Sequence, residues 1–303
     1  MPKRMPAVSL VAVPGRRQAT LDLAAEIEQR GFSGLYCPSM LDALALCEAL
    51  AFATKRIRFG TSVMPIYFRR PLDYALTTSF IHEVSGGRFH FGIGVSHAPS
   101  LKRMGVAGGR PLSDIREFIE QYQAAPRTGD KPPVVVAGLR KRMIALAGEL
   151  GDGLVFANGA LSHMPESLGM LPTAKRRSDA FFIGNMLPTC ISDNVEAAKA
   201  VTRHSLTHYL ELPNYRNYWR EAGYGAEIDA VEKAIAAGKS TGIADLMSDR
   251  WLDDVTLFGP PSRVRERLDA WYEAGIHTPI LVPSSVEGGQ MKAFEEIFAT
   301  FAA

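Results

Sequence analysis

The sequence predicts an α/β protein whose parallel strands close into a TIM-type (β/α)8 barrel. Short β-rich runs alternate with amphipathic helical stretches along the chain, and runs such as Val134-Val135-Val136 are apolar without alternation. Such runs are typical of parallel strands that are buried on both faces. With 303 residues, 47% of them hydrophobic, the chain is long enough for one large barrel. Closing the sheet leaves no edge strand exposed, and a doubly wound open sheet is the alternative.

Eight strands are predicted from the β-rich runs. They lie at Val8–Val13, Gly34–Cys37, Ile57–Val63, Phe89–Val95, Pro133–Ala137, Gly153–Ala157, Phe181–Ile191 and Thr278–Val282. The seventh and eighth of these begin nearly 100 residues apart, which is more than one crossover connection needs. The sequence therefore predicts a single domain over residues 1–303, with a helical insertion at about residues 193–250 between strands 7 and 8.

Apolar residues recur at helical spacing between the predicted strands. The clearest stripe follows the third strand and ends before Ser85-Gly86-Gly87; it consists of Leu72, Ala75, Leu76, Phe80 and Val84. Residues at this spacing share one face of a helix. We expect that face to cover the sheet.

Composition excludes several classes of protein. Lys and Arg number 34 against 32 Asp and Glu, mixed throughout the chain, so we expect no nucleic-acid partner. The three cysteines are too few and too scattered for a disulfide framework, which favours a reducing, cytoplasmic location. No stretch reaches the roughly 18 to 20 apolar residues that cross a bilayer, and we expect no membrane association.

The loops that follow the strands of such a barrel hold its functional site. Among the residues directly after the predicted strands, only His97 can take and return a proton near neutral pH. His97 is therefore the candidate catalytic residue, and a structural histidine bonded to a neighbouring loop is the alternative. Ser39, Ser62 and Ser96 lack the pattern of a nucleophile elbow, so a serine hydrolase is not expected.

A basic cluster, Arg140-Lys141-Arg142, falls in the first turn of the helix after the fifth strand. Cations at that end of a helix oppose its dipole. Together with the free backbone donors there they form an anion site, and Arg69-Arg70 after the third strand would lie on the same rim. The cluster predicts a phosphate-bearing ligand, with a merely solvated basic rim as the alternative.

His204 and His208 are four residues apart, with Glu211 three residues further on. One helix face could present these side chains to a metal. However, the sequence His-Ser-Leu-Thr-His lacks the glutamate that zinc proteases place between their histidines, and no third ligand has an obvious position. We therefore predict no metal site.

Several segments in order resemble the bacterial luciferase-like superfamily of flavin- and deazaflavin-dependent oxidoreductases. They are Arg56–Val63, Pro71-Leu72, Ser85–Phe89, Gly92–His97, Pro132–Leu139, Leu146–Gly153, Phe258–Pro261, Val264–Leu268 and Ala274-Gly275. The segments Leu187–Asp193, Tyr209-Leu210, Leu212-Pro213 and Tyr215–Asn217 are most similar to the coenzyme F-420-dependent, methylenetetrahydromethanopterin-reductase-like branch. The resemblance spans nearly the whole chain.

The resemblance implies a barrel, usually a homodimer, that holds the cofactor ring at the C-terminal ends of its strands. It implies coenzyme F-420 (8-hydroxy-5-deazaflavin), with FMN as the alternative, and a cis peptide bond between Ser62 and Val63. It also implies a small-molecule substrate. The residues expected to bind the cofactor are Ser39, Ser62, Val63, Met64, Gly94, Ala137, Gly138, Leu139, Arg140, Asn158, Gly159 and Ala160.

The function that the resemblance implies is hydride transfer between the reduced cofactor and a small organic substrate. An FMN-dependent monooxygenase, in which the reduced flavin meets oxygen first, is one alternative. A barrel that binds flavin without turnover is another, because Ser39-Met40 stand where many relatives carry an acidic residue and a histidine.

Overall fold

The computed structural model describes residues 4–239 and 242–301, which form two compact units. The first unit contains the chain up to Phe156 together with Gly169–Gly184. The second contains Ala157–Leu168 and the chain from Asn185 onward. The single domain and its helical insertion stay predictions; residues 1–3, 240–241 and 302–303, which the predicted boundaries include, lie outside the described residues.

Strands and helices alternate along most of the chain. In order they are β1 (Ala7–Ser9), α1 (Arg17–Gln29), β2 (Gly34–Cys37), α2 (Ala43–Ala53), β3 (Arg58–Thr61), β4 (Met64–Pro65), α3 (Pro71–Val84), β5 (Phe89–Gly94), α4 (Ala98–Arg103), α5 (Pro111–Ala124), β6 (Val134–Ala137), α6 (Lys141–Leu150), β7 (Gly153–Ala157), α7 (Met164–Gly169), α8 (Thr173–Arg176), β8 (Phe182–Ile191), α9 (Val195–Leu210), α10 (Pro213–Glu221), α11 (Gly225–Ala236), α12 (Asp249–Val255), β9 (Leu257–Gly259), α13 (Pro261–Glu273), β10 (Thr278–Ser284) and α14 (Gln290–Phe301). Short 3-10 helices lie at Leu161–His163 and Ile243–Leu246.

The sheet of the first unit is parallel throughout. Its pairs are β1 with β2, β2 with β3, β3 with β5, β4 with β5, β5 with β6, and β6 with β7. Because parallel strands all end at the same edge of a sheet, the loops that follow them share that edge. The candidate residues of this unit therefore lie at one edge of the sheet, beyond the carboxyl ends of its strands.

The second unit combines strands with helices that carry buried aromatic side chains. Strand β9 pairs with β8 in parallel, with Thr189 opposite Leu257, and β10 also pairs with β8. The rings of Trp219 and Trp251 lie 5.2 Å apart, and Trp251 stacks on Tyr224 at 5.2 Å. These buried rings form the core beneath α10 and α12.

The predicted strands are present, with two additions. Strands β4 and β9, of two and three residues, were not predicted, because so short a run carries no periodicity. The first strand, predicted to reach Val13, ends at Ser9.

Only part of the predicted apolar stripe of α3 covers the sheet: Ala75 is buried as expected, whereas three larger members of the stripe face outward. Leu72, Leu76 and Phe80 are 48, 49 and 48% exposed. The residues that α3 buries are Tyr74, Ala75, Thr78, Ser79 and Ile81. Polar Thr78 can face inward because its hydroxyl donates to the Tyr74 carbonyl at 2.8 Å and hydrogen-bonds the Tyr122 hydroxyl at 2.7 Å. Leu72, Leu76 and Phe80 are left on the surface.

The arginine of the Ser-Gly-Gly-Arg segment links the end of α2, the residue before β3 and the end of α3. The Arg88 guanidinium donates to the carbonyl oxygens of Ala51, Thr54 and Ile57 at 2.9, 3.1 and 3.0 Å, and to that of Ser85 at 2.7 Å. A planar group with five donors suits this task. Arg88 is therefore a structural residue.

No helix in the described part of the chain combines the length and the apolarity that a membrane span needs.

Gly92 lies where β3 and β5 approach so closely that there is no room for a side chain. A Cβ on Gly92 would overlap the carbonyl oxygen of Thr61, whose hydroxyl donates to the Gly92 carbonyl at 2.7 Å. We expect Gly92→Ala to cost about 3 kcal/mol of stability and to lower the melting temperature by roughly 5 to 10 °C. The control is Gly169→Ala, where an added Cβ would meet no atom within 4 Å. A wild-type melting temperature for Gly92→Ala would contradict this packing.

Candidate functional site

The strand ends of the first unit carry an unusual backbone turn. The Ser62-Val63 peptide bond is cis, which confirms the expectation from the resemblance. Ser62 donates its backbone N–H to the Cys37 carbonyl at 2.7 Å and is buried, as is Met64. Val63 between them is half-buried, and Ser39 in the loop after β2 is exposed.

The side chain of Val63 covers the end of β5. A Cβ on Gly94 would lie 2.9 Å from Val63 Cγ2 and 3.3 Å from Ala137 Cβ, and one on Gly92 would lie 3.2 Å from Val63 Cγ1. The two glycines therefore make room for Val63. With Ala137 beside it, Val63 forms a small-residue apolar surface at the strand ends, which is the kind of surface that a planar ring can approach closely.

His97 lies at the end of the same strand. Ser96 before it has a left-handed backbone, with φ of 59°, and His97 is the N-cap residue of α4. Its side chain is half-buried. His90, on β5 itself, differs: burial, followed by the charge of Arg58, lowers the pKa of His90 to about 4. His90 is therefore neutral near pH 7 and is no proton donor there.

The first turn of α6 has the features of an anion site. Lys141 and Arg142 are exposed, and Arg140 is the N-cap residue with no side-chain hydrogen bond to the helix. Gly138 donates its N–H to the Val155 carbonyl at 3.1 Å, which fixes the turn into the helix. The first N–H groups of any α-helix lack intrahelical acceptors, so donors and cations converge at this end of α6.

The loop after β7 belongs to the second unit, and its backbone donors are already engaged. Asn158 donates its N–H to the Met186 carbonyl at 3.0 Å, Gly159 to Asn185 Oδ1 at 3.2 Å and Ala160 to the Tyr218 hydroxyl at 2.9 Å. All three residues are buried. Asn158 has a left-handed backbone, with φ of 55°. Their predicted role in cofactor binding stays a prediction.

Several partners of this loop were not predicted. The Asp254 carboxylate accepts from the N–H and hydroxyl of Ser162 at 2.8 and 2.6 Å, and the Trp219 indole donates to the Asn158 carbonyl at 3.2 Å. These partners lie 61 to 92 residues away along the chain, so no local sequence pattern predicts them.

His163 is a second histidine on a strand-end loop and was also missed. It lies six residues after β7, whereas the predicted site residues directly follow their strands. Its Nδ1 lies 3.5 Å from a Glu166 carboxylate oxygen, and its ring meets the Tyr218 ring edge-on at 5.7 Å.

His204 and His208 lie on α9, and His208 Nδ1 lies 3.7 Å from a Glu211 carboxylate oxygen. Across residues 4–239 and 242–301, no group of three or more His, Cys, Asp or Glu side chains is placed to hold a metal ion.

Comparison with known proteins identifies the family. A protein of Mycobacterium tuberculosis, named as a coenzyme F-420-dependent oxidoreductase, is 24% identical over 88% of this chain and 91% of its own length. The 5,10-methylenetetrahydromethanopterin reductase of Archaeoglobus fulgidus is 25% identical over 84% of each chain. The solved coenzyme F-420-dependent tetrahydromethanopterin reductase of Methanopyrus kandleri is 16% identical, with a TM-score of 0.76 over 97% of each chain.

The likeness to the Methanopyrus structure confirms the predicted fold class, an α/β barrel of the TIM type. The model of the luciferase-like monooxygenase family matches residues 7–127 and 120–278. These ranges include the cis turn at Val63, the glycines of β5, His97 and the basic turn of α6. The chain belongs to the luciferase-like monooxygenase family.

Proposed function

We propose that this protein is an oxidoreductase that transfers a hydride between reduced coenzyme F-420 and a small organic substrate at the carboxyl ends of its strands. The observation that carries the proposal is the surface of Val63, Gly94 and Ala137 with His97 at the end of the same strand. The name of the Mycobacterium relative, which is matched over 91% of its length, supports the deazaflavin over FMN.

Different residues of the chain would bind the ring, bind the phosphate and hold the proton. Val63, Gly94 and Ala137 would hold the flat ring, and Gly138, Leu139 and Arg140 at the start of α6 would hold its phosphate. The reduced deazaflavin supplies the hydride when it is bound. His97 would hold the proton that the substrate needs, since an imidazole exchanges protons near neutral pH. Val63 would keep water from the face of the ring that it covers.

An FMN-dependent monooxygenase is the second candidate, because the family that the chain belongs to is named for that reaction. A barrel that binds flavin without turnover is the third. The exposed Ser39 favours it, since a serine cannot replace an acidic residue in a proton relay.

Titration of the purified protein with coenzyme F-420 and, separately, with FMN tests the proposal. We expect fluorescence quenching at lower concentrations of coenzyme F-420 than of FMN, and substrate-dependent oxidation of the reduced deazaflavin. Preference for FMN with oxygen uptake would support the monooxygenase instead. Binding with no turnover toward any alcohol, aldehyde, ketone, imine or methylene-pterin substrate would support the third candidate.

We also propose that the protein is a homodimer that packs through α3. Leu72, Leu76 and Phe80 form an exposed stripe along this helix, and Phe52 of the neighbouring α2 is 59% exposed. Contiguous exposed apolar side chains mark interaction surfaces. A second copy of the chain is the occupant that the resemblance implies, and an apolar stripe pairs favourably with itself.

We expect the double substitution Leu76→Glu and Phe80→Glu to convert the dimer to a monomer, because four carboxylates would face one another across the interface. Light scattering coupled to size-exclusion chromatography measures the molar mass. The control is Leu246→Glu with Met291→Glu, which adds the same charge at exposed apolar residues elsewhere. A wild-type protein that is monomeric at micromolar concentration would disprove the dimer.

A further inference from the structure

Three exposed apolar side chains lie on neighbouring loops at the carboxyl edge of the first unit's sheet. Val13, in the loop after β1, is 43% exposed, and Met40 and Leu41, in the loop after β2, are 65 and 53% exposed. Because β1 and β2 pair in parallel, both loops leave the same edge side by side. We call these three side chains the apolar patch.

The two loops that carry the apolar patch contain no charge. Residues 10–15 after β1 and 38–41 after β2 include no Lys, Arg, His, Asp or Glu. The loops after β4, β5 and β6, at residues 66–72, 97–110 and 138–143, contain eight Lys or Arg and no Asp or Glu. One part of the strand-end edge is therefore uncharged, and another part is cationic.

The loop after β2 lies beside the surface that we assign to the cofactor ring. The carbonyl of Cys37, at the end of β2, accepts the N–H of Ser62 at 2.7 Å, and Val63 follows Ser62 in the same turn. At its other end the loop is fixed by Asp42, whose side chain accepts the N–H of Ala45 at 3.1 Å and caps α2. The loop is thus anchored next to the turn that carries Val63.

Leu41 has two features that do not favour stability. Its backbone is left-handed, with φ of 61°, a conformation that costs energy for residues other than glycine, asparagine and aspartate. Its apolar side chain is more than half exposed to water, which is unfavourable for apolar surface. Left-handed residues that carry a side chain cluster at ligand sites, so the combination favours a ligand-binding role for this loop.

The apolar patch is suited to a small molecule rather than to another protein. A standard protein interface takes about 800 Å² from each partner, which three side chains cannot provide. Small-molecule sites are lined mainly by apolar side chains, and methionine adapts to ligands of different shape because it is unbranched and polarizable. An aliphatic chain that extends from the ring surface would remove Met40 and Leu41 from water.

We propose that the apolar patch binds the hydrocarbon part of the substrate, with Met40 and Leu41 selecting uncharged aliphatic substrates over charged ones. This inference rests on the proposed function and adds a substrate class to it. The driving force is the removal of apolar surface from water, which grows with each methylene group. A carboxylate in the same place would lose hydration without gaining a partner, because the two loops carry no basic residue.

The test measures binding of aliphatic ketones by NMR of protein labelled with [methyl-13C]methionine. The reporter is the Met40 methyl group, whose signal is identified by its loss in Met40→Gln. The probes are 2-butanone, 2-hexanone, 2-octanone and 7-oxooctanoate, in which a carboxylate replaces the terminal methyl group of 2-octanone. We expect the Met40 signal to shift, and that of Met291, which is 41% exposed on α14, to stay in place.

Affinity in the wild-type protein should rise about two- to fourfold for each added methylene, and 2-octanone should bind about tenfold more tightly than 7-oxooctanoate. In Leu41→Asn, which keeps the reporter and suits a left-handed backbone, we expect the advantage of 2-octanone over 2-butanone to fall about fivefold or more. The matched control is Leu246→Asn, at a leucine that is 38% exposed elsewhere, and it should keep the advantage. If Leu41→Asn does not fold, Val13→Thr makes the patch more polar without changing its shape.

No shift of the Met40 signal, or tighter binding of 7-oxooctanoate than of 2-octanone, would overturn the assignment of the patch to the substrate. A smaller molar mass of Leu41→Asn in light scattering would also overturn it, because a second copy of the chain would then cover the patch. The ketone titration needs no cofactor, so the two proposals can fail separately. Shifts at Met40 without binding of coenzyme F-420 or FMN would support the apolar site and contradict the proposed function.

Discussion

Replacing His97 by alanine is expected to lower turnover about 100- to 10,000-fold while cofactor binding is retained, because general acid catalysis contributes rate enhancements of that size. His97 follows β5, and its half-buried side chain lies where β5 gives way to α4. His90, which lies on β5, is neutral near pH 7 because its pKa is about 4. The measurement is single-turnover hydride transfer at saturating cofactor, which separates chemistry from binding.

A structural role for His97 predicts a different result. The variant would then melt at a lower temperature and bind cofactor more weakly, and its turnover per bound cofactor would stay near that of the wild type. A loss below about tenfold would remove His97 from the catalytic role. His163→Ala is the matched variant, since His163 also lies on a strand-end loop. A larger loss in His163→Ala would assign the proton to that residue.

The double substitution Arg140→Ala and Arg142→Ala is expected to weaken binding of coenzyme F-420 more than tenfold. A charge-assisted hydrogen bond contributes about 1.5 to 3 kcal/mol, and cations in the first turn of α6 have no helix-stabilising role, because they oppose the dipole. The affinity for 8-hydroxy-5-deazariboflavin, which has no phosphate, should stay unchanged. Arg176→Ala with Arg177→Ala is the control. Unchanged affinity for coenzyme F-420 in the α6 variant would remove this helix from the phosphate site.

The strands were predictable because parallel strands buried on both faces are recorded in the sequence as continuous apolar runs. Strand β6, with Val134, Val135 and Val136, is such a case. The inward face of α3 was not predictable in this way. Apolar periodicity identified Leu72, Leu76 and Phe80, whereas the buried side is partly polar and depends on a hydrogen bond between Thr78 and Tyr122, 44 residues away. Periodicity locates an apolar face but does not say whether the sheet or a partner covers it.

Some residues of the candidate site were predictable from the sequence, and others were not. Positions such as His97 and Gly138 follow from the rule that strand-end loops hold the site, because strand ends are visible in the sequence. The cis bond after Ser62 came from family resemblance alone, since no local propensity encodes it. The environment of Asn158 was not predictable, because it is created by Tyr218 and Trp219 from a helix that lies some 60 residues later.

The hydrogen bonds of the loop after β7 affect the order in which parts of the chain fold during synthesis. Its donors and acceptors meet partners on α10 and α12 that are separated from it by 58 to 92 residues. Contacts of such long sequence separation form only after a large loop has closed, which makes them slow to assemble. During synthesis, Ser162 therefore remains without its partner until Asp254 has emerged from the ribosome. The loop after β7 can therefore complete its hydrogen bonds only after α10 and α12 have been synthesised.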